Sequence, residues 1–199
     1  MAKLFFRHGT MNSGKTGQLL MAADNYTRKG DGVLLFKPDL DTRWGGKAEI
    51  KSRAMDTPLP CVIIEPHINL YTFTNEWQQD HPVSAVFVDE AQFLSKEHVR
   101  QLVEIVNILN IPVMAYGLRS SYVEGELFEG SKELLYWANE IEEIKTVCAF
   151  CNRRSTHNLK LTDGKPSKTG DTISIEGSEE NSVYYAACTN HYINPPKLK

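Results

Sequence analysis

The sequence predicts an α/β protein, in which a mostly parallel sheet flanked by helices precedes a small unit rich in β-structure and loops. Up to about residue 145, short apolar segments of strand length alternate with segments of helical periodicity. Such alternation is typical of a parallel sheet covered by helices. After residue 145 the long helical patterns end, and the chain becomes rich in cysteine, glycine and proline. We therefore divide the chain into residues 1–145 and 146–199.

Apolar runs of strand length and apolar residues at helical spacing predict the individual elements. Five apolar runs have the length of a strand: residues 4–6, 33–37, 62–64, 83–88 and 113–116. Helical spacing of apolar residues predicts helices over residues 17–26, 95–110 and 131–141. We expect Ser95 to cap the second of these helices and Ile141 to lie on the apolar face of the third.

Composition restricts the possible classes of protein. With 199 residues, 41% of them hydrophobic, the chain can form one full-sized domain or one domain with a small appendage. A net charge of −3 argues against a large nucleic-acid-binding surface, since such surfaces are usually basic. No apolar run approaches the roughly 18–20 residues of a membrane span, and no cleavable export segment is expected. These features predict a cytoplasmic protein that binds neither nucleic acid nor membrane.

The most specific motif lies between the first predicted strand and the first predicted helix. It fits the phosphate-binding pattern G-x-x-x-x-G-K-[ST] at every required position: Gly9, Thr10, Met11, Asn12, Ser13, Gly14, Lys15 and Thr16. Backbone N–H groups of such a loop surround phosphate oxygens, and the helix that follows adds about half a positive charge. We expect Lys15 to reach the outer phosphates and Thr16 to ligate Mg²⁺. The alternative, a glycine-rich turn that matches by accident, does not explain this strand–loop–helix context.

Two adjacent acids end the apolar segment 86–88. An aspartate in the position of Asp89 helps to hold Mg²⁺ in nucleotide-binding proteins. Glu90 is then within reach of the terminal phosphate, where it can orient or deprotonate the group that attacks phosphorus. The attacking group is water in an ATPase and a substrate hydroxyl in a small-molecule kinase. Without the upstream motif, the same pair would also suit an ordinary strand–helix junction.

The spacing of cysteine and histidine near the C-terminus predicts a metal site. Cys148 and Cys151 form one pair, and Cys188 and His191 form a second pair with the same spacing. Four such ligands make a tetrahedral zinc site, and because the protein fills all four positions we expect a structural role. The alternative is a buried apolar Cys188 with His191 on the surface. Cys61 is predicted to be a buried strand residue.

Two further segments allow more than one interpretation. Asp41 and Arg43 follow a predicted strand, where the arginine either neutralises charge on a transferred phosphoryl group or is a solvated loop residue. The segment 116–119 ends another strand at the same side of the sheet. The aromatic residues after it, including Tyr122 and Phe128, either stack on a base or cover the core.

Together these residues resemble the thymidine kinases of the type found in bacteria, some phages and vertebrate cytosol, and not the herpesvirus type. The resemblance rests on an ordered set of motifs: residues 9–16, 41–43, 89–93, 116–119 and 128–131, followed by the cysteine and histidine set. It covers nearly the whole chain. The resemblance implies a P-loop α/β kinase domain over residues 1–145 and a zinc-bound lasso domain over residues 146–199 that folds over the nucleoside.

The resemblance also implies roles for individual residues. Glu90 is implied to be the catalytic base, with Lys15 and Arg43 acting on the phosphates. The implied ATP and Mg²⁺ site comprises the phosphate-loop residues together with Asp41, Arg43, Asp89 and Gln92. The implied nucleoside site comprises Met11, Phe93, Leu118, Tyr122, Phe128, Thr172, Ile173, Ser174, Ile175, Glu176 and Tyr184. The implied ligands of a structural Zn²⁺ are Cys148, Cys151, Cys188 and His191.

The activity that the resemblance implies is transfer of the ATP γ-phosphate to deoxythymidine, giving dTMP, by a homotetramer that dTTP inhibits. Three departures from the family pattern concern the nucleoside. The loop 119–128 is one residue longer than usual, Glu176 stands where glycine is common, and Lys160 stands where arginine is usual. A kinase that prefers another deoxynucleoside is therefore an alternative. A P-loop ATPase or switch is a more distant one.

Overall fold

The computed structural model describes residues 1–40, 47–53, 55–173 and 181–196. The strands are β1 (Leu4–His8), β2 (Val33–Pro38), β3 (Glu49–Ser52), β4 (Met55–Pro60), β5 (Val62–Ile64), β6 (Ala85–Val88), β7 (Val113–Gly117), β8 (Glu140–Glu143), β9 (His157–Thr162), β10 (Lys165–Ser167) and β11 (Ser182–Ala187). The helices are α1 (Lys15–Arg28), α2 (Leu70–Asp80), α3 (Lys96–Ile108), α4 (Glu129–Trp137) and α5 (Thr189–Ile193), with a 3₁₀ helix at Ala91–Phe93.

A six-stranded sheet in the order β5-β2-β6-β7-β1-β8 forms the centre of the structure. Every neighbouring pair in this sheet is parallel. The carboxyl ends of β1, β7 and β6 therefore lie side by side at one edge of the sheet, where parallel sheets bind ligands. A three-stranded antiparallel sheet, β10-β9-β11, and the antiparallel pair β3–β4 lie outside the central sheet.

Side chains of the central sheet pack into two apolar clusters because successive residues of a strand point to opposite faces. In β6, Val86 and Val88 belong to the larger cluster, while Phe87 belongs to the smaller one. The larger cluster also contains buried residues of α2, α3 and α4, and the smaller one contains those of α1. Helices thus cover both faces, and the predicted α/β architecture is confirmed.

The five predicted strands correspond to β1, β2, β5, β6 and β7, and the predicted helix 17–26 lies within α1. The helix predicted over 95–110 is α3. Ser95 is its N-cap, since the Ser95 hydroxyl accepts a hydrogen bond from the His98 backbone N–H at 3.2 Å. The strands were predictable because each is an apolar run of strand length, and the helices because their apolar residues repeat with helical spacing.

Two sequence predictions were wrong. The helix predicted over 131–141 ends at Trp137, and Ile141 lies in β8 with 48% of its surface exposed. The chain turns out of the helix at Ala138, and the Asn139 side chain then accepts a hydrogen bond from the Leu4 backbone N–H at 2.7 Å. Pairing of β8 with β1 thereby overrides the helical periodicity. Cys61 lies between β4 and β5 and is only partly buried.

The helix α2 and the pair β3–β4 had no sequence prediction. α2 begins at Leu70 behind an Asn69 cap, whose side chain accepts a hydrogen bond from the Thr72 backbone N–H at 2.8 Å. β3 packs against α1. Among the described residues, no helix is long and apolar enough to cross a membrane.

Candidate active site

The phosphate-binding motif forms a closed turn between β1 and α1. Asn12 and Gly14 have φ values of 60° and 83°, so the turn passes twice through the left-handed region that glycine favours. A Cβ atom at Gly9 would lie 2.8 Å from the backbone carbonyl oxygen of Ile144, and only glycine fits there. The Lys15 ammonium is buried and donates a hydrogen bond to the Thr10 carbonyl at 2.8 Å. The loop thus lies between a strand and a helix, as the sequence predicts.

The Thr16 hydroxyl and the Asp89 carboxylate meet at the carboxyl ends of β1 and β6. The hydroxyl oxygen lies 3.1 and 3.3 Å from the two carboxylate oxygens. Asp89 is only 3% exposed. A hydroxyl and a buried carboxylate at one point are the hard oxygen ligands that Mg²⁺ requires, together with water and phosphate oxygens. The donor set therefore fits Mg²⁺.

Glu90 lies at the start of the 3₁₀ helix in a left-handed conformation, with φ 49° and ψ 39°. A left-handed non-glycine residue carries strain that surrounding contacts must support. The Gln92 amide donates to the Glu90 carboxylate at 2.5 Å, and its carbonyl oxygen accepts from the Leu118 backbone N–H at 3.0 Å. Gly117 allows this approach, because a Cβ there would lie 2.8 Å from the Gln92 side-chain oxygen. Gln92, predicted to serve ATP, thus bonds through both ends of its amide to protein groups.

The aromatic residues predicted to contact the nucleoside form two edge-to-face pairs. The ring centres of Phe93 and Phe128 are 5.8 Å apart, and those of Tyr122 and Tyr184 are 5.9 Å apart. The ammonium of Lys160, which is almost fully buried, lies 4.5 Å from the centre of the Tyr122 ring. Tyr122 and Tyr184 are buried as well, so this part of the site is packed around a cation.

The remaining residues predicted for the site differ in their exposure and contacts, and some lie outside the described residues. The Thr172 carbonyl accepts a hydrogen bond from the Ser121 hydroxyl at 2.9 Å, while Ile173 is 48% exposed. Met11 and Leu118 are both partly buried at the sheet edge that carries the phosphate loop. Five predicted residues lie outside the described part of the chain: Asp41, Arg43, Ser174, Ile175 and Glu176.

The four predicted metal ligands converge on one point, with their ligand atoms all within 4.8 Å of one another. The Cys148 sulfur lies 3.4 Å from His191 Nδ1, and the sulfurs of Cys151 and Cys188 are 3.9 Å apart. Ligands placed tetrahedrally at usual zinc bond lengths would be roughly 3.5–3.8 Å apart. The cluster therefore fits zinc.

Thiolate is the form of cysteine that binds metals, and the surroundings of Cys148 favour it. Burial raises the pKa of the Cys148 thiol. Hydrogen bonds to its sulfur from the backbone of Cys188 and Phe150 and from His191 outweigh that effect, and its pKa lies at about 6. The alternative of an isolated apolar Cys188 with a surface His191 does not fit this geometry.

Sequence reasoning missed two residues of the β9 region that contact the phosphate loop. The Ser155 and Thr10 hydroxyls are 2.7 Å apart, and the Met11 backbone N–H donates to Asn158 Oδ1 at 2.8 Å. The available signal was an alternation in β9, where the polar Asn158 and Lys160 are separated by leucine. A buried strand with polar residues on one face indicates that this face meets a polar site.

Comparison with known proteins agrees with this arrangement. The family model described as thymidine kinase matches residues 2–192. A thymidine kinase of Lactiplantibacillus plantarum is 41% identical over 198 residues, which cover 100% of this chain and 99% of that protein. A thymidine kinase of Enterococcus faecalis is 42% identical over 196 residues, which cover 98% of this chain and 96% of that protein. On sequence, site geometry and relatives alike, the chain belongs to the thymidine kinase family.

Proposed function

We propose that this chain transfers the γ-phosphate of ATP to the 5′-hydroxyl of deoxythymidine, with Glu90 as the general base. The relatives match along nearly the whole chain and are named thymidine kinases, which supports the proposed reaction. The observation that carries the role of Glu90 is its position directly after Asp89, buried and held by Gln92 at the edge with the phosphate loop. A carboxylate fixed there can accept a proton from a hydroxyl that approaches the terminal phosphate.

In the proposed reaction, the 5′-oxygen attacks the γ-phosphorus as its proton passes to a Glu90 carboxylate oxygen. A new O–P bond forms, the bond to the β-phosphate oxygen breaks, and ADP leaves. The Gln92 amide donates to one carboxylate oxygen of Glu90, which fixes the direction in which the carboxylate faces. Such transfer depends mainly on alignment and charge neutralisation, and both require rigidly held groups.

The phosphates of ATP are assigned to the loop of residues 9–16. Lys15 would bind the outer phosphates, and Thr16 with Asp89 would hold Mg²⁺, which neutralises charge on the phosphates when bound. Lys15 is already held beside the loop through the Thr10 carbonyl. We also assign Arg43 to the transferred phosphoryl group and Asp41 to the ATP site, on the family resemblance.

The nucleoside is assigned to the region between the phosphate loop and the β9–β11 sheet. We propose that residues 146–199 form a zinc-bound lasso domain whose segment 172–176 binds the base, with Tyr184 and the aromatic pairs beside it. The hydrogen bond between Ser121 and the Thr172 carbonyl supports this assignment, since it places Thr172 beside the loop that follows β7. A homotetramer, inhibition by dTTP and a cytoplasmic location complete the proposal, on the family resemblance.

Gln92 is expected to position Glu90. We expect Gln92→Leu to lower kcat by roughly 10- to 100-fold, because Glu90 and the Leu118 backbone N–H each lose a partner. Gln101→Leu is the matched control, since the side-chain oxygen of the buried Gln101 accepts from the Leu70 backbone N–H at 2.9 Å, away from the site. A steady-state assay at saturating substrates measures both. An unchanged kcat in Gln92→Leu would show that Gln92 does not align the base.

ADP release measured across a panel of deoxynucleosides tests the proposed substrate. We expect release that requires deoxythymidine and exceeds the rate with deoxycytidine or the purine deoxynucleosides. A higher rate with another deoxynucleoside would favour the alternative motivated by Lys160 and the longer loop. ADP release independent of every nucleoside would indicate an ATPase or switch and contradict the proposal.

A further inference from the structure

The phosphate loop is fastened to the β9 region by two hydrogen bonds that connect residues far apart in the sequence. The Met11 backbone N–H donates to Asn158 Oδ1 at 2.8 Å, and the Thr10 and Ser155 hydroxyls are 2.7 Å apart. Asn158 is 3% exposed and Ser155 is 2% exposed. Removing one partner of such a buried hydrogen bond is destabilising, because the other partner is left without a hydrogen-bond partner and water cannot reach it.

Asn158 connects three parts of the structure at once. While its oxygen accepts from Met11 in the phosphate loop, its amide nitrogen donates to the Ser120 carbonyl at 3.0 Å, just after β7. The two partners fix the orientation of the amide, since an N–H needs the oxygen and a carbonyl needs the nitrogen. The residue itself belongs to β9, whose neighbour β11 leads directly to Cys188 in the metal cluster.

Ser155 is connected through Thr10 to Lys15, the lysine of the phosphate loop. The Ser155 hydroxyl donates to the Thr146 carbonyl at 3.2 Å, so the Thr10 hydroxyl is the donor towards Ser155. The Thr10 carbonyl in turn accepts from the Lys15 ammonium at 2.8 Å. A chain of bonds therefore runs from the segment beside the metal cluster, through Thr10, to Lys15.

We infer that Asn158, assisted by Ser155, is a positioning residue for ATP: it holds Thr10 and Met11 so that the phosphate loop keeps its binding shape. This inference rests on the proposed ATP site. It makes the affinity for ATP depend on β9, an element outside the central sheet. Neither residue is expected to touch the reacting atoms; each acts through the backbone and side chain of the loop.

Direct binding of a non-hydrolysable ATP analogue with Mg²⁺ tests this inference. We expect Asn158→Ala to raise the Kd of the analogue by about tenfold, the effect expected of one buried hydrogen bond, and Ser155→Ala to raise it by about threefold. Asn139→Ala is the matched control, because the Asn139 oxygen accepts from the Leu4 backbone N–H at 2.7 Å near the opposite end of β1. We expect the control to lower the melting temperature and leave the Kd within twofold of the unchanged protein.

Zinc content and melting temperature identify variants that fail to fold. If Asn158→Ala loses zinc, Ser155→Ala decides the question, since it removes only one hydroxyl. A Kd within twofold of the unchanged protein in a folded, zinc-containing Asn158→Ala variant overturns the inference, as does a weakening of similar size in Asn139→Ala. Failure of the unchanged protein to bind the analogue would instead contradict the proposed function.

Discussion

Replacing Glu90 by glutamine is expected to lower kcat by about 10²–10⁴-fold, the usual contribution of a general base. The amide keeps the size of the side chain and can still accept a hydrogen bond from Gln92, which at present donates to the carboxylate at 2.5 Å. It cannot take a proton from the substrate hydroxyl. Binding of ATP and deoxythymidine should therefore change little, and the loss should appear in turnover.

The matched control for this substitution is Glu97→Gln. Glu97 is an exposed acid in the first turn of α3, only seven positions along the chain, and lies outside the proposed site. Turnover measured at saturating ATP and deoxythymidine should be unchanged in this control. Near-normal turnover in Glu90→Gln would remove Glu90 from the mechanism, and equal losses in both variants would indicate a general effect of charge.

Loss of the metal is expected to destabilise the protein strongly. Zinc binding to small structural sites is worth roughly 10–16 kcal/mol in isolated zinc-finger peptides, and the described residues of 146–199 form only a small apolar core of their own. Among the described residues of this part, the small apolar cluster contains four buried residues: Leu159, Leu161, Ala187 and Tyr192. We expect Cys151→Ser to lose zinc and to unfold several degrees below the unchanged protein.

Cys61→Ser is the matched control for the zinc prediction, because Cys61 lies outside the cluster and contacts the core beside α1. Metal analysis of protein purified without chelator should find about one zinc per chain in the unchanged protein and in this control. A protein without zinc, or a Cys151→Ser variant as stable as the control, would contradict a structural metal site.

Much of the fold was predictable because its signals are local. The phosphate loop is a contiguous motif, β6 is an unbroken apolar run of strand length, and α3 carries apolar residues at helical spacing. The end of α4 was not predictable in this way. Residues 131–141 keep a helical pattern, yet pairing of β8 with β1 determines where the helix stops. That pairing joins residues more than a hundred positions apart, which no local pattern records.

The same distinction separates the parts of the site. Asp89, Glu90 and the metal ligands could be predicted because each belongs to a motif of short, fixed spacing. Asn158 was missed because its role depends on Met11, 147 positions earlier in the chain. A single buried asparagine in a strand has no motif of its own, and only the packing of β9 against the phosphate loop reveals its contacts.

The identity of the phosphorylated product tests the proposed reaction most directly. ATP, Mg²⁺ and deoxythymidine are incubated with the protein, and ADP, dTMP and inorganic phosphate are measured together. We expect one dTMP for each ADP, with negligible inorganic phosphate, because in the proposed reaction Glu90 activates the 5′-hydroxyl and not water. ADP accompanied by an equal amount of inorganic phosphate, with no dTMP, would contradict phosphoryl transfer to the nucleoside.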